Sequence, residues 1–106
     1  MKMHRKDKTL YIVPECDLVA SQVVKLRESI LNKLKKEQSL EHIVLNVKDI
    51  DVVDSLGINL IIGIYRHGES LSISFEIVNA SEKFIKISNF FKFEDFFNVS
   101  PEKKAK

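Results

Sequence analysis

The chain has 106 residues, of which 44% are hydrophobic and 30% are charged, and its formal net charge is +2. That length suits one small domain, and the composition is typical of a soluble globular protein and unlike that of a disordered chain. No apolar run could span a bilayer, no secretion leader opens the chain, and the single cysteine, Cys16, cannot form an internal disulfide, so we expect a cytoplasmic protein.

The positive charge lies at the two ends of the chain. Residues 1–8 carry four basic side chains against one acidic one, and residues 101–106 carry three against one, which leaves a net charge of −3 on the body between them. A protein that reads nucleic acid should carry its basic charge on a folded face. Because we expect flexible ends at residues 1–7 and 100–106, the charge distribution argues against nucleic-acid binding.

The first half of the chain predicts two strands separated by a helix. Thr9–Val13 is a short apolar run rich in β-branched residues and predicts a strand that ends at Pro14. From Val19 to about Lys36, apolar residues recur every three or four positions, which predicts an amphipathic helix. Ile43–Val47 is almost wholly apolar, as is typical of a central parallel strand buried on both faces.

The second half continues the alternation. A second helix is predicted from Asp54–Ser55 to about Arg66 or His67, where Gly68 supplies its stop. The alternating apolar residues of Leu71–Ile77 predict a strand with one buried face.

A third helix is predicted after a cap at Ser81 or Asn79, with three apolar residues on its inner side: Phe84, Ile87 and Phe91. A short element of undefined type closes the domain. Six of the seven phenylalanines lie between Phe84 and Phe97, and we expect them to be packing residues of this C-terminal region.

The common signatures of catalysis are missing from the sequence. Three glycines do not make a phosphate-binding loop, and the scattered histidines and one cysteine have no metal-ligand spacing. No Ser/His/Asp set can be argued from spacing alone. We therefore predict neither an enzyme nor a cofactor, and an enzyme or small-ligand binder with a polar-lined pocket is the weakest of the alternatives.

The junction at residues 52–66 is the most informative segment. Asp54 and Ser55 are natural helix caps and Gly57 permits close packing, so a cap and a tight turn can explain the segment by themselves. However, the apolar residues of the following helix cover about 240° of its circumference, whereas a helix on a sheet needs little more than about 100°. The excess must meet a neighbouring helix or a partner protein.

Ser55 at the start of this helix is a candidate site for a phosphate. A phosphate there would meet free N–H groups and the positive end of the helix dipole. It would also bring nearly two negative charges to the rim of an apolar surface.

The chain resembles the anti-sigma-factor antagonists of the STAS domain family. The resemblance is carried by the strand Ile43–Val47, the turn Asp54-Ser55-Leu56-Gly57, an apolar helix ending in Tyr65-Arg66, and Glu15-Cys16-Asp17 before the first helix. The order of elements agrees over about residues 8–98, the core of a single domain spanning residues 1–106. The resemblance implies an α/β fold with a small mixed sheet of four to five strands and helices mainly on one face.

The same resemblance implies a non-enzymatic partner switch. In that family the unphosphorylated protein binds an anti-sigma factor that is also an ATP-dependent serine kinase, phosphorylation of the turn serine releases the partner, and a PP2C-type phosphatase restores binding. The phosphorylated position maps to Ser55. The implied partner-binding residues are Glu15, Asp17, Asp54, Ser55, Leu56, Gly57, Ile58 and Ile62.

Two residues of this chain depart from the pattern of the family. Leu56 replaces the usual small or hydroxyl residue, and Pro14 replaces the usual glycine before Glu15. Glu15, Asp17 and Asp54 would form an acidic border suited to a basic partner surface.

The alternative to a partner switch is a STAS subunit or adaptor without phospho-switching, for example in a lipid-transport ATPase or a sensor complex.

Overall fold

A five-stranded sheet and three α-helices make up the protein in the computed structural model, which describes residues 1–102. In chain order the elements are β1 (Lys2–Lys6), β2 (Thr9–Val13), α1 (Ala20–Lys36), β3 (His42–Asn46), α2 (Ser55–Ser70), β4 (Ser74–Ala80), α3 (Glu82–Phe91), a 3₁₀ helix (Phe93–Asp95) and β5 (Asn98–Pro101). The predicted strand at Thr9–Val13 and the predicted first helix are thus confirmed.

The sheet is mixed, and its strands lie in the order β1-β2-β3-β4-β5. β1 pairs with β2 antiparallel, whereas the other three pairs are parallel. The register aligns Leu10, Ile43 and Phe75 across the three central strands, and this face belongs to the core on which the helices pack. The predicted mixed sheet with helices mainly on one face is confirmed.

The opposite face of the sheet has no helical layer within residues 1–102. His4, Tyr11, Val44 and Glu76 lie side by side across it, and the rings of His4 and Tyr11 stack 4.9 Å apart. Val44 is nevertheless only 6% exposed. The burial predicted for both faces of β3 is therefore found, but on this face neighbouring strand side chains flank Val44 in place of a helix.

The expectation of a frayed N-terminal end was wrong for residues 2–6, which form the edge strand β1. Met3 packs against the core from this strand. The Arg5 guanidinium donates to the backbone oxygen of Gln38 at 2.6 Å and pairs with the Glu37 carboxylate at 3.0 Å, just beyond the end of α1. One apolar and one cationic side chain on the inner face thus hold a strand whose other residues are polar.

Gly68 does not stop α2, because the helix continues to Ser70. A Cβ at Gly68 would lie 3.0 Å from the backbone oxygen of Ile73, so the glycine serves the close return of the chain. That return occupies residues 71–73, and β4 therefore begins at Ser74 and not at the predicted Leu71, which is exposed.

The C-terminal phenylalanines divide into two groups. Phe84, Phe93 and Phe97 are buried in the core, whereas Phe90, Phe91 and Phe96 are exposed. The predicted inward position of Phe91 was wrong, because Ser88 follows Phe84 by one turn and takes the inner face. Ser81 caps α3 through its side chain, as predicted.

The expected flexible tail from residue 100 is only partly covered by the structure. Residues 100 and 101 belong to β5 and are ordered by pairing with β4. The rest of that expectation, from residue 103 onward, lies outside the described residues.

Candidate functional site

Two loops meet beyond the carboxyl ends of β2 and β3, and they carry three of the predicted site residues, Glu15, Asp17 and Asp54. The other five lie in α2, which follows the second loop. Leu18 of the first loop forms an isolated parallel bridge with Val53 of the second. The Leu18 N–H donates to the Val52 oxygen at 3.0 Å, and the Asp54 N–H donates to the Leu18 oxygen at 3.1 Å. The two loops therefore form one hydrogen-bonded unit.

Asp17 of the first loop bonds to the second loop, and Asp54 of the second loop bonds to the start of α1. Oδ1 of Asp17 accepts hydrogen bonds from the N–H groups of Asp51, at 2.9 Å, and Val52, at 3.1 Å. Oδ2 of Asp54 accepts from the N–H of Ala20 at 2.8 Å, and its Oδ1 accepts from Gly57 at 3.0 Å. One carboxylate thus caps α2 and also holds the first residue of α1, while the other fixes the loop before α2.

The hydrogen bond from Gly57, followed by that from Ala20, holds the pKa of Asp54 below its ordinary value of 3.8. Both bonds favour the charged form, because a carboxylate accepts more strongly than a carboxylic acid. Asp54 is therefore anionic at neutral pH, and its charge strengthens the hydrogen bonds that it accepts as a cap.

Gly57 and Ile58 serve the interior of the protein. A Cβ at Gly57 would lie 2.0 Å from the backbone oxygen of Leu18, a distance that no substitution could keep. Ile58 is 5% exposed and lies in the core. The sequence suggested close packing and partner binding for Gly57. In the structure, this glycine allows α2 to pack closely against the first loop.

Ser55 is the first residue of α2 and is exposed. Its hydroxyl has no hydrogen-bond partner within residues 1–102. The neighbouring Leu56 is 41% exposed, and Val52, which sequence reasoning missed, is 52% exposed. The signal for Val52 was the pair Val52-Val53, since only one of two successive apolar residues in extended chain can face the core.

The environment of Ser55 differs from expectation in one respect. Free N–H groups were expected at the start of α2, but the Asp54 carboxylate already accepts from Gly57, and the Ile58 N–H donates to the Asp54 backbone oxygen. A phosphate on Ser55 would therefore stand beside an anion that already holds the Gly57 N–H.

The three carboxylates of the expected acidic border, Glu15, Asp17 and Asp54, bind other groups of this chain. Glu15 lies 3.4 Å from the N-terminal amine and 3.8 Å from the Lys2 ammonium. Asp17 and Asp54 accept backbone hydrogen bonds, as described above. Asp17 and Asp54 hold the loops together and Glu15 pairs with the N-terminal segment, so the three charges are less available to a partner than the sequence indicated.

The apolar excess of α2 is largely covered by neighbouring elements. Leu60 and Ile64 are buried, and both line the groove between α2 and α1. Ile62 and Tyr65 are half-buried and border a small cavity of about 80 Å³ walled mainly by C-terminal phenylalanines. Of the two explanations offered for the wide apolar arc, neighbouring elements account for most of it, and Leu56 at its start is left exposed.

Two general features of residues 1–102 complete the description. No three of their His, Cys, Asp or Glu side chains come together in a way that could hold a metal ion. None of their helices has the length and apolar character needed to cross a membrane.

The fold is that of a STAS domain, and the chain belongs to the STAS domain family, whose model matches residues 1–105. A comparison with curated proteins gives no match. The resemblance argued from the turn and its flanking elements is thereby confirmed.

Solved structures of anti-sigma factor antagonists share this fold. TM1081 of Thermotoga maritima, a candidate anti-sigma factor antagonist, aligns with a TM-score of 0.85 at 17% identity over 93% of this chain and 84% of that one. The anti-sigma factor antagonist SpoIIAA in its unphosphorylated form aligns with a TM-score of 0.69 at 19% identity over 99% and 88%.

A STAS domain protein from Planctomyces limnophilus aligns with a TM-score of 0.76 at 12% identity over 96% of this chain and 90% of that one. At these identities the likeness establishes the fold.

Proposed function

We propose that this protein is a non-enzymatic, cytoplasmic partner switch of the anti-sigma-factor antagonist type, with Ser55 as its phosphorylated residue. The observation that carries the proposal is the exposed Ser55 side chain, which begins α2 between the exposed Val52 and Leu56. The fold that this chain shares with SpoIIAA supports an anti-sigma factor with serine kinase activity as the partner.

The docking surface in this proposal is smaller than the sequence indicated. Val52, Ser55 and Leu56 supply its exposed part, with the half-buried Ile62 further along α2. Gly57, Ile58, Asp17 and Asp54 act indirectly, because they fix the turn that presents Ser55. Glu15 instead pairs with the N-terminal amine and Lys2.

Phosphorylation would act on this surface through charge. The Ser55 hydroxyl oxygen attacks the γ-phosphorus of ATP, the bond to ADP breaks, and the hydroxyl proton is lost. The product carries nearly two extra negative charges next to Asp54, whose carboxylate already accepts hydrogen bonds through both oxygens. A PP2C-type phosphatase would hydrolyse the phosphoserine and restore binding.

The energies involved are large enough for a switch. Burying an unpaired phosphate among apolar groups costs several kcal/mol, whereas about 2.8 kcal/mol changes an affinity a hundredfold. Because the two loops are cross-linked by hydrogen bonds, the turn can keep its conformation while the added charge alone opposes docking.

The first test is phosphorylation by the cognate serine kinase. Intact-mass analysis after incubation with the kinase, ATP and Mg²⁺ should show one added phosphate, which Ser55→Ala abolishes. Ser29→Ala, at an exposed serine in the middle of α1, is the matched control and should accept the phosphate normally. Modification of another residue while Ser55 is untouched would refute the site.

Binding of the same kinase provides the second test. Ser55→Ala should retain affinity in a calorimetric titration, whereas Ser55→Asp should weaken it at least about tenfold, or 1.4 kcal/mol. Ser29→Asp adds the same charge away from the turn and should leave the affinity unchanged. Equal binding by all variants, with co-purification of a membrane ATPase, would instead favour the adaptor role.

A further inference from the structure

A groove of about 280 Å³ runs between α1 and α2. Its floor is formed by Ile30 of α1 and by Leu60 and Ile64 of α2, which are almost completely buried. Leu31 adds a half-buried apolar wall. Neither Ser55 nor any residue of the proposed docking surface lines this groove.

The rim of the groove carries three polar side chains: Arg27 from α1, and Asn59 and His67 from α2. Within residues 1–102 none of these side chains makes a hydrogen bond or an ion pair. No acidic residue lines the groove. Arg27 therefore presents an unpaired guanidinium, a planar donor fork that fits a carboxylate or a phosphate.

Gly63 lies in the wall of the groove, in the middle of α2. Glycine inside a helix lowers its stability relative to alanine. No glycine of the chain has a positive φ, and a Cβ at Gly63 would meet nothing within 4 Å. Neither the backbone nor the packing requires this glycine, in contrast to Gly57. Because it has no side chain, Gly63 leaves the groove open between Asn59 and His67, each of which lies about one helical turn away.

We propose that this groove binds a small amphipathic anion, with a carboxylate or phosphate head on a short aliphatic chain. The head pairs with Arg27 and accepts from the Asn59 amide, and the chain lies along Leu31 and across Gly63. A volume near the lower limit for ligand pockets suits a molecule the size of octanoate. Charge complementarity favours an anion, because Arg27 supplies a positive charge and no carboxylate lines the groove.

The test titrates the unphosphorylated chain with octanoate and with octyl phosphate, which share the tail and distinguish the two head groups. Amide chemical shifts should saturate, and the changes should map to the facing segments 27–31 and 59–67. Saturation by either ligand supports the proposal and identifies the head. Octanol is the uncharged control and should bind much more weakly. No kinase is present, so the outcome is independent of the proposed switch.

Two substitutions separate binding from folding. Arg27→Gln should weaken octanoate or octyl phosphate at least about tenfold, since a charge-assisted pair is lost. Gly63→Leu should abolish binding by filling the groove, yet leave the melting temperature unchanged or higher because a better helix former replaces glycine. No saturable binding of either anion, equal binding of octanol, or full affinity in both variants would overturn the proposal.

Discussion

The Asp54 carboxylate accepts hydrogen bonds from the first turns of two helices, α2 and α1. Only its bond to α2 could be predicted from the sequence. Its position immediately before an apolar helix predicted the bond to Gly57 three residues on, since short-range capping follows from local order. The bond to Ala20 spans 34 positions, as does the bond from Asp51 to Asp17. Such reciprocal contacts depend on how the loops meet, so no local pattern could have revealed them.

Asp54 should make the stability of the protein depend on acid. Its pKa is lowered in the folded state, so its contribution is present above the ordinary value of 3.8 and is lost as the pH falls through the folded value. Asp54→Asn keeps one acceptor oxygen but no charge. We expect a lower free energy of unfolding at pH 7 and a shallower loss below about pH 4, measured by urea denaturation across a pH series.

Asp49→Asn is the matched control for that experiment. Asp49 is an exposed loop residue with a φ of 65°, which asparagine tolerates, and its side chain has no partner within residues 1–102. Its acid dependence should equal that of the parent protein. If Asp54→Asn also retained the parent's pH profile, the charge of this carboxylate would contribute nothing to stability.

Gly57 and Gly63 occupy the same helix but should respond to alanine with opposite signs. At Gly57 the new Cβ would lie 2.0 Å from the Leu18 oxygen, so α2 must move and the cost should be about 3 kcal/mol. At Gly63 the Cβ meets nothing within 4 Å, and higher helix propensity should add up to about 1 kcal/mol. Chemical denaturation measures both, and a tolerated Gly57→Ala would contradict the packing role.

At the scale of elements, prediction from sequence succeeded where one apolar pattern determined one element. β2, α1 and β3 have such patterns, and their positions were predicted within about a residue. β1 was missed because an edge strand needs only one apolar face, and here Met3 and Arg5 share it. The start of β4 was misplaced because residues 71–73 alternate like a strand but form the return from α2.

The C-terminal aromatic segment should show how unevenly stability is distributed among similar side chains. Phe93 is nearly inaccessible in the core, and Phe93→Ala should cost about 3–5 kcal/mol. Phe90 is 79% exposed on α3, and Phe90→Ala should change the free energy of unfolding by less than about 0.5 kcal/mol. Thermal and urea denaturation of the two variants compare them directly, and equal costs would contradict the assigned burial.

At the scale of the whole molecule, β1 closes one edge of the sheet. A chain lacking residues 1–7 would expose the backbone of β2 and lose the Arg5 contacts beyond α1. We expect a lower melting temperature and concentration-dependent self-association, detected by light scattering, because an uncovered strand edge pairs readily. Lys6→Ser removes an exposed charge but keeps the strand, and should self-associate no more than the parent chain does. A stable, monomeric truncated chain would show that β1 is dispensable.

The strand order has a consequence for how the protein is assembled. Neighbours in the sheet are also consecutive in the sequence, from β1 to β5. No strand has to be inserted between two that are already paired, and each new strand extends the free edge left by the one before it. Contacts therefore join segments that are successive along the chain, which keeps loop-closure costs modest for a largely parallel sheet. During synthesis, each strand can find its completed neighbour as soon as it emerges.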